Sequence, residues 1–298
     1  MKNKIIRIGS RDSRLAVIQA EIVRDTIKKA HPDFVVEIHT MKTTGDMILD
    51  RSLDQIGGKG LFVKELDRAL LEEEVDICVH SLKDMPMEQM KELPILAFTK
   101  REDPRDALIY KPGFDEIPAG GIIGSSSRRR TLQLARIFPD CQFRGIRGNV
   151  QTRLGKLETG EYAGTVLASA GLCRLQMQQV IGRIFSVEEV LPAAGQGILA
   201  IQGRAGETHD YLDCLQCKNS TIAAQAERSF VGTLDGGCSS PIAAYAQVNG
   251  EEVKLTGLYY EEQAEEYVMD HMTGPVCQAK YIGEKLAEEL KHRFGGKK

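Results

Sequence analysis

The 298-residue sequence contains no tryptophan, and aromatic residues supply only 6% of the chain. Proteins that bind single-stranded nucleic acids stack the bases on aromatic side chains, so this scarcity argues against an RNA-binding function. The sequence pI is near 6.1 and the formal net charge is −3, which argues against a general nucleic-acid binder. We therefore expect no nucleic acid among the partners.

Long hydrophobic runs are also missing. No apolar stretch approaches the ~20 residues that a membrane-spanning helix needs, so we expect no membrane association. The first ten residues, MKNKIIRIGS, contain neither the apolar core of a signal peptide nor an Arg/Ser-rich presequence. The seven cysteines are odd in number, widely spaced, and in a chain too large to depend on disulfides, which favours a reducing compartment. We expect a cytoplasmic protein.

Two common binding motifs are incomplete. Cys214 and Cys217 form the only close cysteine pair, and no second pair or nearby histidine completes a zinc site. The run 56–62 has three glycines within four positions but lacks the spacing of a Walker motif and the Ser or Thr after its lysine. We expect neither a metal nor a nucleotide. This run is interpreted as a loop that carries Lys59 and Phe62 over a cleft, although an ordinary glycine-rich turn fits it equally well.

Basic charge is gathered in one stretch. Residues Gly124–Arg153 contain seven arginines, no lysine and a single acid, Asp140. The planar guanidinium of arginine matches a carboxylate or phosphate with two parallel hydrogen bonds. Three serines, Ser125–Ser127, stand just before a helical apolar pattern, where free backbone N–H groups attract an anion. The stretch predicts a site for a ligand with several negative groups, although a solvated basic helix face would have a similar composition.

Short apolar runs alternate with helical patterns through most of the chain, which is typical of α/β folds. The predicted strand Asp76–His80 is followed by Ser81, Lys83 and Asp84. Open α/β sheets form their ligand crevices at the carboxyl ends of the strands, so these three residues are well placed for chemistry. His80 itself is typical of a satisfied core histidine.

Two segments divide the chain. The charged segment 100–106 and the small-residue segment 191–197 are interpreted as crossovers between two α/β lobes, which would form a hinged cleft. From about residue 218 the pattern changes to a helix, three strand-like runs and a final helix. We predict domain 1 at 1–99 and 196–217, domain 2 at 100–195, and a small α+β domain 3 at 218–298.

Cys238 differs from the other six cysteines. It stands in a predicted loop, after two glycines and before a nearby proline. Glycines allow the backbone to approach a neighbour closely, and a loop thiol near a cationic cleft would be nucleophilic. An incidental exposed thiol fits the pattern equally well, and no His/Asn pairing recommends Cys238 as a protease nucleophile.

Taken together, these segments resemble the porphobilinogen deaminase family, also called hydroxymethylbilane synthase. The resemblance extends in order from Arg7 to about Ala244, whereas the last fifty residues match in length and pattern only. The motifs that carry it are RIGSRDS from Arg7, TGD from Thr44, GGKGLFVKE from Gly57, HSLKD from His80, REDPRDA from Arg101, GSSS from Gly124 with Arg129-Arg130, RGNVQTR from Arg147, AGLCR from Ala170, LPAAGQG from Leu191, and GGC from Gly236 with Pro241-Ile242.

The resemblance implies a transferase of haem biosynthesis. Members of the family condense four porphobilinogen molecules head to tail, release four ammonia molecules and form the linear tetrapyrrole hydroxymethylbilane. Their cofactor is a dipyrromethane joined to a cysteine by a thioether, which implies attachment at Cys238, and their catalytic aspartate corresponds to Asp84. The family also implies two lobes like those of periplasmic binding proteins, a monomer, and a possible transient contact with the next enzyme of the pathway.

Arginines and serines of the family hold the acetate and propionate groups of cofactor, substrate and growing chain. By position, the implied ligand-binding residues are Arg11, Ser13, Ser81, Lys83, Ser125, Ser127, Arg129, Arg130, Arg147, Arg153 and Arg174. Lys59 and Phe62 correspond to the loop over the active site.

The chain departs from the family pattern at Arg128, at Cys173 and at Ser239-Ser240. None of these positions has a catalytic role in the resemblance. A non-catalytic, hinged binding protein for a small polycarboxylate would have the same lobes and arginines. It would differ at Cys238, because a protein that only binds its ligand needs no pigment attached through a thioether.

Overall fold

The computed structural model describes residues 5–47, 63–236, 240–263 and 265–295. The chain divides into two compact units: unit 1 comprises Met1–Glu102 with Ile198–Thr221, and unit 2 comprises Asp103–Gly197 with Ile222–Lys298. The chain leaves unit 1 inside the predicted first crossover and returns to it at the end of the predicted second crossover. The finer division into three domains stays a prediction, since the C-terminal residues group here with residues 103–197.

Unit 1 is built on one mixed sheet. Its strands are β1 (Ile5–Arg11), β2 (Val35–Met41), β3 (Ile77–Ser81), β4 (Ile95–Phe98) and β10 (Leu199–Gly203). Its helices are α1 (Arg14–Ala30), α2 (Thr44–Met47) and α3 (Lys64–Leu71), with 3-10 turns at Leu82–Asp84 and Asp210–Leu215. The strand order is β2-β1-β3-β10-β4, in which β1 is parallel to β2 and β3, and β10 is antiparallel to β3 and β4.

Helix α1 illustrates how the sequence sets this architecture. Ser13 precedes the helix, and its Oγ accepts a hydrogen bond from the backbone N–H of Ala16 at 3.4 Å, an N-cap contact. Apolar residues at spacings of three and four, Ala20, Val23 and Ile27, are buried against the sheet. The cap and this buried face fix the turn between β1 and α1 at the edge of the sheet.

The first part of unit 2 repeats this plan. Its strands are β5 (Asp106–Tyr110), β6 (Ile122–Gly124), β7 (Gln142–Arg144), β8 (Gly164–Ala168) and β9 (Arg183–Ile184). Its helices are α4 (Arg128–Ile137), α5 (Val150–Glu158) and α6 (Ser169–Arg174), with a 3-10 turn at Gln178–Val180. The order is β7-β6-β8-β5-β9, so each sheet has three parallel neighbours followed by an antiparallel strand.

The C-terminal part of unit 2 is an antiparallel meander with helices. Its elements are α7 (Lys218–Thr233), whose first four residues belong to unit 1, β11 (Ala243–Asn249), β12 (Glu252–Glu261), β13 (Glu266–Pro275), a 3-10 turn at Val276–Gln278, and α8 (Ala279–Gly295). Helices α7 and α8 approach closely at Gly283, where an added Cβ would lie 2.3 Å from the backbone oxygen of Ala226. Leu191, Ala243 and Leu258 form a buried cluster that joins this part to the rest of unit 2.

The predicted α/β lobes and C-terminal α+β part are confirmed. The pattern missed β9 and α6, because two to six residues are too few to establish a period. In the described ranges, no helix combines the length and the apolar character that crossing a membrane requires.

Candidate active site

Neighbouring parallel strands bring two predicted segments to the same edge of the unit 1 sheet. Strands β1 and β3 are paired in register, with Ile8 opposite Ile77 and Gly9 opposite Cys78. Because both strands run the same way, Arg11 at the end of β1 and Ser81 at the end of β3 emerge at one edge. Ser13 follows as the N-cap of α1, so its hydroxyl oxygen already accepts a hydrogen bond from the first turn of the helix.

Asp84 lies on a short turn that the core holds in place. Leu82 and Met85 flank it and are 0% and 1% exposed, and the backbone N–H of Leu82 donates to the carbonyl of Ile198 at 3.0 Å. Asp84 and Lys83 are both half-buried. Among the described residues, the Asp84 carboxylate takes part in no hydrogen bond or ion pair. A carboxylate on an anchored turn, with its acceptor oxygens uncommitted, can face a cationic or N–H group of a ligand.

His80 is a core histidine, as the sequence predicts. It is 6% exposed, and its Nε2 lies 3.0 Å from Oε1 of Gln202 on β10. Burial lowers the pKa of His80 to about 4, the hydrogen bond with Gln202 opposes this shift, and the charge of Arg11 adds to it. The ring is therefore neutral at physiological pH, and with the Gln202 contact it supports the strand that carries Ser81.

Unit 2 places three further segments at the carboxyl ends of parallel strands. Ser125–Ser127 follow β6, Arg147 follows β7, and α6 follows β8, with Gly124 in register with both Arg144 and Thr165. Helices α4 and α5 begin at the same edge, so their N-terminal backbone N–H groups add partial positive charge there. This edge can bind anions.

The serines of unit 2 have different local roles. Ser126 Oγ donates to the carbonyl of Ile146 at 2.8 Å and accepts from its N–H at 3.0 Å, which joins the loops after β6 and β7. Ser125 is buried, and its Oγ accepts from the N–H of Ser127 at 3.3 Å. Ser127 precedes α4, but its hydroxyl makes no capping hydrogen bond. The ligand roles predicted for Ser125 and Ser127 stay predictions.

Arg129 and Arg130 are buried, at 4% and 7% exposed, and both contact Asp106. Arg129 Nη2 donates to Oδ2 of Asp106 at 2.8 Å, and Arg130 Nη2 donates to Oδ1 at 2.7 Å. Burial raises the pKa of Asp106, but the two guanidiniums outweigh burial and hold that pKa well below its usual range. The contacts that the structure gives these arginines are internal, so their predicted contacts with ligand carboxylates stay a prediction.

Three other predicted arginines are half-buried and positioned by backbone carbonyls or helix ends. Arg153 Nε donates to the carbonyl of Gly148 at 2.9 Å, and Arg174 Nη2 donates to the carbonyl of Gly197 at 2.6 Å. Arg147 directly precedes the turn into α5, which Asn149 caps by accepting from the N–H of Thr152 at 2.9 Å. Of the three, Arg147 lies on the loop after β7, Arg153 lies in the first turns of α5, and Arg174 ends α6.

Three predicted residues, Cys238, Lys59 and Phe62, lie outside the described residues. Among the residues that are described, no group of three His, Cys, Asp or Glu side chains is arranged to hold a metal ion.

Asp106 and Gln196 also belong to the cluster around Arg129 and Arg130, although the sequence motifs did not mark them as site residues. Gln196 Nε2 donates to Oδ1 of Asp106 at 2.9 Å and to the carbonyl of Pro104 at 2.6 Å. A signal was available: Asp106 directly precedes the apolar strand residues Ala107–Ile109, and a carboxylate at the start of a buried strand requires a cationic partner.

The buried cluster suits a ligand with carboxylates. Two guanidiniums surround one carboxylate, which leaves one positive charge in excess. Arg130 Nε is buried and has no hydrogen-bond partner in the part of the chain that the structure describes. A buried guanidinium donor without an acceptor is costly, and a ligand carboxylate would satisfy both its charge and its hydrogen bond. The residues present therefore fit a polycarboxylate such as a pyrrole that carries acetate and propionate.

In a comparison with known proteins, two domain models of one family match most of the chain. Residues 6–211 match the family model described as porphobilinogen deaminase, dipyromethane cofactor binding domain, and residues 221–292 match porphobilinogen deaminase, C-terminal domain. A porphobilinogen deaminase of Ruminiclostridium josui is 53% identical over 288 residues, which cover 97% of this chain and 98% of that protein. One of Nostoc sp. is 43% identical over 297 residues, covering 97% and 92%.

Solved structures give weaker likenesses. The probable amino-acid ABC transporter extracellular-binding protein ytmK of Bacillus subtilis has a TM-score of 0.42 at 13% identity, covering 72% of this chain and 91% of that chain. The periplasmic aliphatic sulphonate binding protein SsuA of Escherichia coli has a TM-score of 0.39 at 11% identity, covering 78% and 71%. Scores this low do not establish a shared fold.

Proposed function

The chain belongs to the porphobilinogen deaminase family, and we propose that it condenses four porphobilinogen molecules into hydroxymethylbilane with release of four ammonia molecules. It is a transferase of tetrapyrrole biosynthesis. The observation that carries this proposal is the match of both family domains, which together span residues 6–292 with a single short break. A non-catalytic polycarboxylate binder has no observation of its own in its favour.

The charge of the site residues agrees with this substrate. Each pyrrole ring carries two carboxylates, so the growing chain presents many anions to the protein. We infer that guanidinium and ammonium groups hold these carboxylates, with serine hydroxyls as additional donors. The residues assigned to this role are Arg11, Ser13, Ser81 and Lys83 in unit 1, and Ser125, Ser127, Arg129, Arg130, Arg147, Arg153 and Arg174 in unit 2.

The cofactor is dipyrromethane. It supplies, when bound, the tethered pyrrole to which the first substrate is joined. We propose that Cys238 is its point of attachment. The carboxylates of the two rings fit the excess positive charge at Arg129 and Arg130, where the buried Nε of Arg130 has no partner among the described residues.

Asp84 is the proposed catalytic residue. Loss of ammonia from the aminomethyl group of porphobilinogen leaves a positive charge that is shared onto the ring nitrogen. A carboxylate held beside the ring N–H stabilises this developing charge, which is the cationic counterpart of an oxyanion hole. When it is protonated, the same carboxyl group can instead give its proton to the departing amine, which leaves the carboxylate beside the cation. The anchored turn between Leu82 and Met85 gives Asp84 the fixed position that this role needs.

Several finer assignments complete the proposal. Lys59 and Phe62 cover the bound substrate, and residues 218–298 act as a third domain that carries the cofactor. The protein works as a monomer in the cytoplasm and passes its product on through at most a transient contact with the next enzyme. These assignments are supported by the resemblance to the family motifs.

Turnover of porphobilinogen tests the proposal. The purified protein is incubated with porphobilinogen, and ammonia and remaining substrate are both measured over time. We expect one ammonia released for each porphobilinogen consumed, and discrete heavier protein species by intact-protein mass spectrometry. Binding of porphobilinogen without release of ammonia would instead identify a binding protein and refute the enzymatic assignment.

A further inference from the structure

Asp106 is the centre of a buried polar cluster in unit 2. The residue is 0% exposed and begins strand β5. Its Oδ2 accepts from Arg129 Nη2 at 2.8 Å, and its Oδ1 accepts from Arg130 Nη2 at 2.7 Å and from Gln196 Nε2 at 2.9 Å. One carboxylate therefore orients two neighbouring guanidiniums and one amide from the distant segment 191–197.

Each arginine that contacts Asp106 also contacts a backbone carbonyl. Arg129 Nη1 donates to Leu191 O at 2.7 Å, and Arg130 Nη1 donates to Val166 O at 3.0 Å. These second contacts hold each guanidinium at two points, with Asp106 at one of them. A guanidinium held in this way keeps one orientation, whereas an arginine side chain without such contacts has many rotamers.

The segment 191–197 is tied to the same cluster. Gln133 donates to Leu191 O at 3.2 Å and accepts from Leu191 N at 2.7 Å, next to the Arg129 contact. Gly195 and Gly197 have φ values of +75° and +90°, which glycine adopts readily, and Gln196 between them reaches Asp106. The backbone conformation of this segment and the orientation of the arginine pair therefore depend on the same carboxylate.

The charge balance shows why a carboxylate is needed at this position. Two adjacent guanidiniums in a buried site repel each other, and each loses hydration. Asp106 offsets one of the two charges, and the remaining positive charge is available to a ligand anion. A neutral residue at 106 would leave both charges uncompensated and would remove the acceptor that aligns them.

We propose that Asp106 is a positioning residue for the reaction: its carboxylate fixes Arg129 and Arg130 in one arrangement that is complementary to the carboxylates of dipyrromethane and porphobilinogen. This inference rests on the ligand role proposed above for the two arginines. Preorganised donors bind an anion without the cost of ordering their own side chains. Asp106 thereby affects substrate binding although it contacts no substrate.

The test compares four variants of the full-length protein. Asp106→Glu keeps the buried negative charge but moves the carboxylate by one methylene, whereas Asp106→Asn removes the charge. Asp103→Asn is the matched control, because Asp103 lies three residues earlier and pairs with Arg105 at 2.8 Å in a more exposed position. Arg130→Lys tests the ligand role itself, since lysine cannot reproduce a two-point guanidinium contact.

Four quantities are measured for each variant: the fraction that carries the cofactor by intact mass, the KM and the kcat of that loaded fraction, and the melting temperature. For Asp106→Glu and Asp106→Asn we expect a lower loaded fraction and a KM for porphobilinogen raised about tenfold, which corresponds to about 1.4 kcal/mol. We expect kcat of the loaded fraction to change less than about threefold. Asp103→Asn should match the wild type in cofactor loading, KM and kcat, and its melting temperature shows what loss of a carboxylate costs in this segment.

The results for these variants distinguish a failure of this inference from a failure of the proposed function. If Arg130→Lys raises KM but folded Asp106→Glu binds porphobilinogen and cofactor like the wild type, the positioning role is wrong and the proposed function stands. If Arg130→Lys itself has wild-type KM and loading, the ligand role of the arginine pair fails, and this inference fails with it. If neither Asp106 variant folds, Gln196→Met carries the test, because it removes the hydrogen bond to Oδ1 that fixes the Asp106 carboxylate beside the two guanidiniums. An unchanged KM in that variant would show that the position of the carboxylate does not govern binding, and would overturn the inference.

Discussion

Gln19 and Ser81 are joined side chain to side chain in unit 1: Gln19 Nε2 donates to Ser81 Oγ at 3.1 Å. Gln19 is 4% exposed on helix α1, and Ser81 ends strand β3. The contact ties the helix to the strand three residues before Asp84. Because the backbone around Asp84 is fixed by such contacts, the Asp84 side chain can be changed without disturbing its support.

Asp84→Asn should therefore give a folded protein with greatly reduced turnover. The amide is nearly isosteric with the carboxylate but carries no charge to stabilise the developing cation. Loss of one such electrostatic contact typically lowers the rate by ~10²–10³. We expect kcat for porphobilinogen to fall by at least about 10²-fold with the melting temperature unchanged.

The control for this variant is Asp213→Asn, which neutralises an exposed carboxylate of the same unit. It should have wild-type kcat. Near-normal turnover in Asp84→Asn would remove Asp84 from the catalytic role.

His80 should make stability depend on pH below neutrality. Its pKa is about 4 in the folded protein, compared with the ordinary ~6.5 of an unfolded chain. Between these values the unfolded chain binds more protons, so the contribution is complete above pH ~6.5 and is lost as the pH falls towards 4. We expect a loss of roughly 3 kcal/mol in the free energy of unfolding over this interval.

Denaturant unfolding at pH 7 and pH 4.5 measures this effect. His80→Gln should show a pH dependence smaller by roughly 2–3 kcal/mol than that of the wild type. His39→Gln, at a side chain that is 43% exposed, should leave the dependence as it is. If the free energy of unfolding changes equally between pH 7 and pH 4.5 in the wild type and in His80→Gln, His80 does not titrate as its burial requires.

Two glycines of unit 2 should respond to alanine in opposite directions. A Cβ at Gly283 would lie 2.3 Å from Ala226 O and 2.9 Å from Phe230 N, both backbone atoms that cannot move aside cheaply. Gly283→Ala should lower the free energy of unfolding by about 1–3 kcal/mol. A Cβ added at Gly232 would point into open space, with no neighbouring atom within 4 Å, so Gly232→Ala should raise stability by up to about 1 kcal/mol.

Chemical denaturation of both alanine variants tests this pair. A stabilised Gly283→Ala would show that α7 and α8 do not approach as closely as the structure indicates. The Gly232 variant controls for the general preference of helices for alanine.

Arg128 and Arg129 are adjacent in sequence but should differ in importance. Arg128 pairs with Glu262 at 2.6 Å, with side chains that are 49% and 60% exposed, whereas Arg129 pairs with the fully buried Asp106. Exposed ion pairs contribute little, so Arg128→Leu should shift the melting temperature by no more than about 2 °C and leave KM unchanged. Arg129→Leu leaves a buried carboxylate without one partner and should cost about 3–5 kcal/mol.

Thermal melts and KM measurements on the two leucine variants distinguish these cases. Comparable losses of thermal stability in both variants would contradict the difference in burial between the two ion pairs. A raised KM in Arg128→Leu would show that the first arginine of this run also binds the substrate.

The regular elements of this fold can be predicted from sequence because their signals are local. Helix α1 has its cap at Ser13 and its apolar face at Ala20, Val23 and Ile27, all within one segment. The strands that end at Arg11 and Ser81 are likewise visible as short apolar runs before polar turns. Strand β9 is not, since its two residues depend on pairing with β5.

The partners of buried charges cannot be predicted from local patterns. The run Arg128–Arg130 looks uniform in sequence, yet its members have different partners. Arg128 forms an ion pair with the exposed Glu262, whereas Arg129 and Arg130 both bind the buried Asp106, more than twenty residues earlier in the chain. Similarly, Gln196 reaches Asp106 across a separation of 90 residues. Such contacts depend on which strand and helix ends the sheet brings together, and a one-dimensional pattern does not contain that information.

The intact mass of the active protein tests whether catalysis depends on a pyrrole cofactor attached to Cys238. We expect a mass above that of the sequence by one two-pyrrole unit, loss of that increment in Cys238→Ser, and loss of turnover with it, whereas Cys214→Ser should keep both. A fully active protein whose mass equals that of its unmodified sequence would show that no attached cofactor is needed.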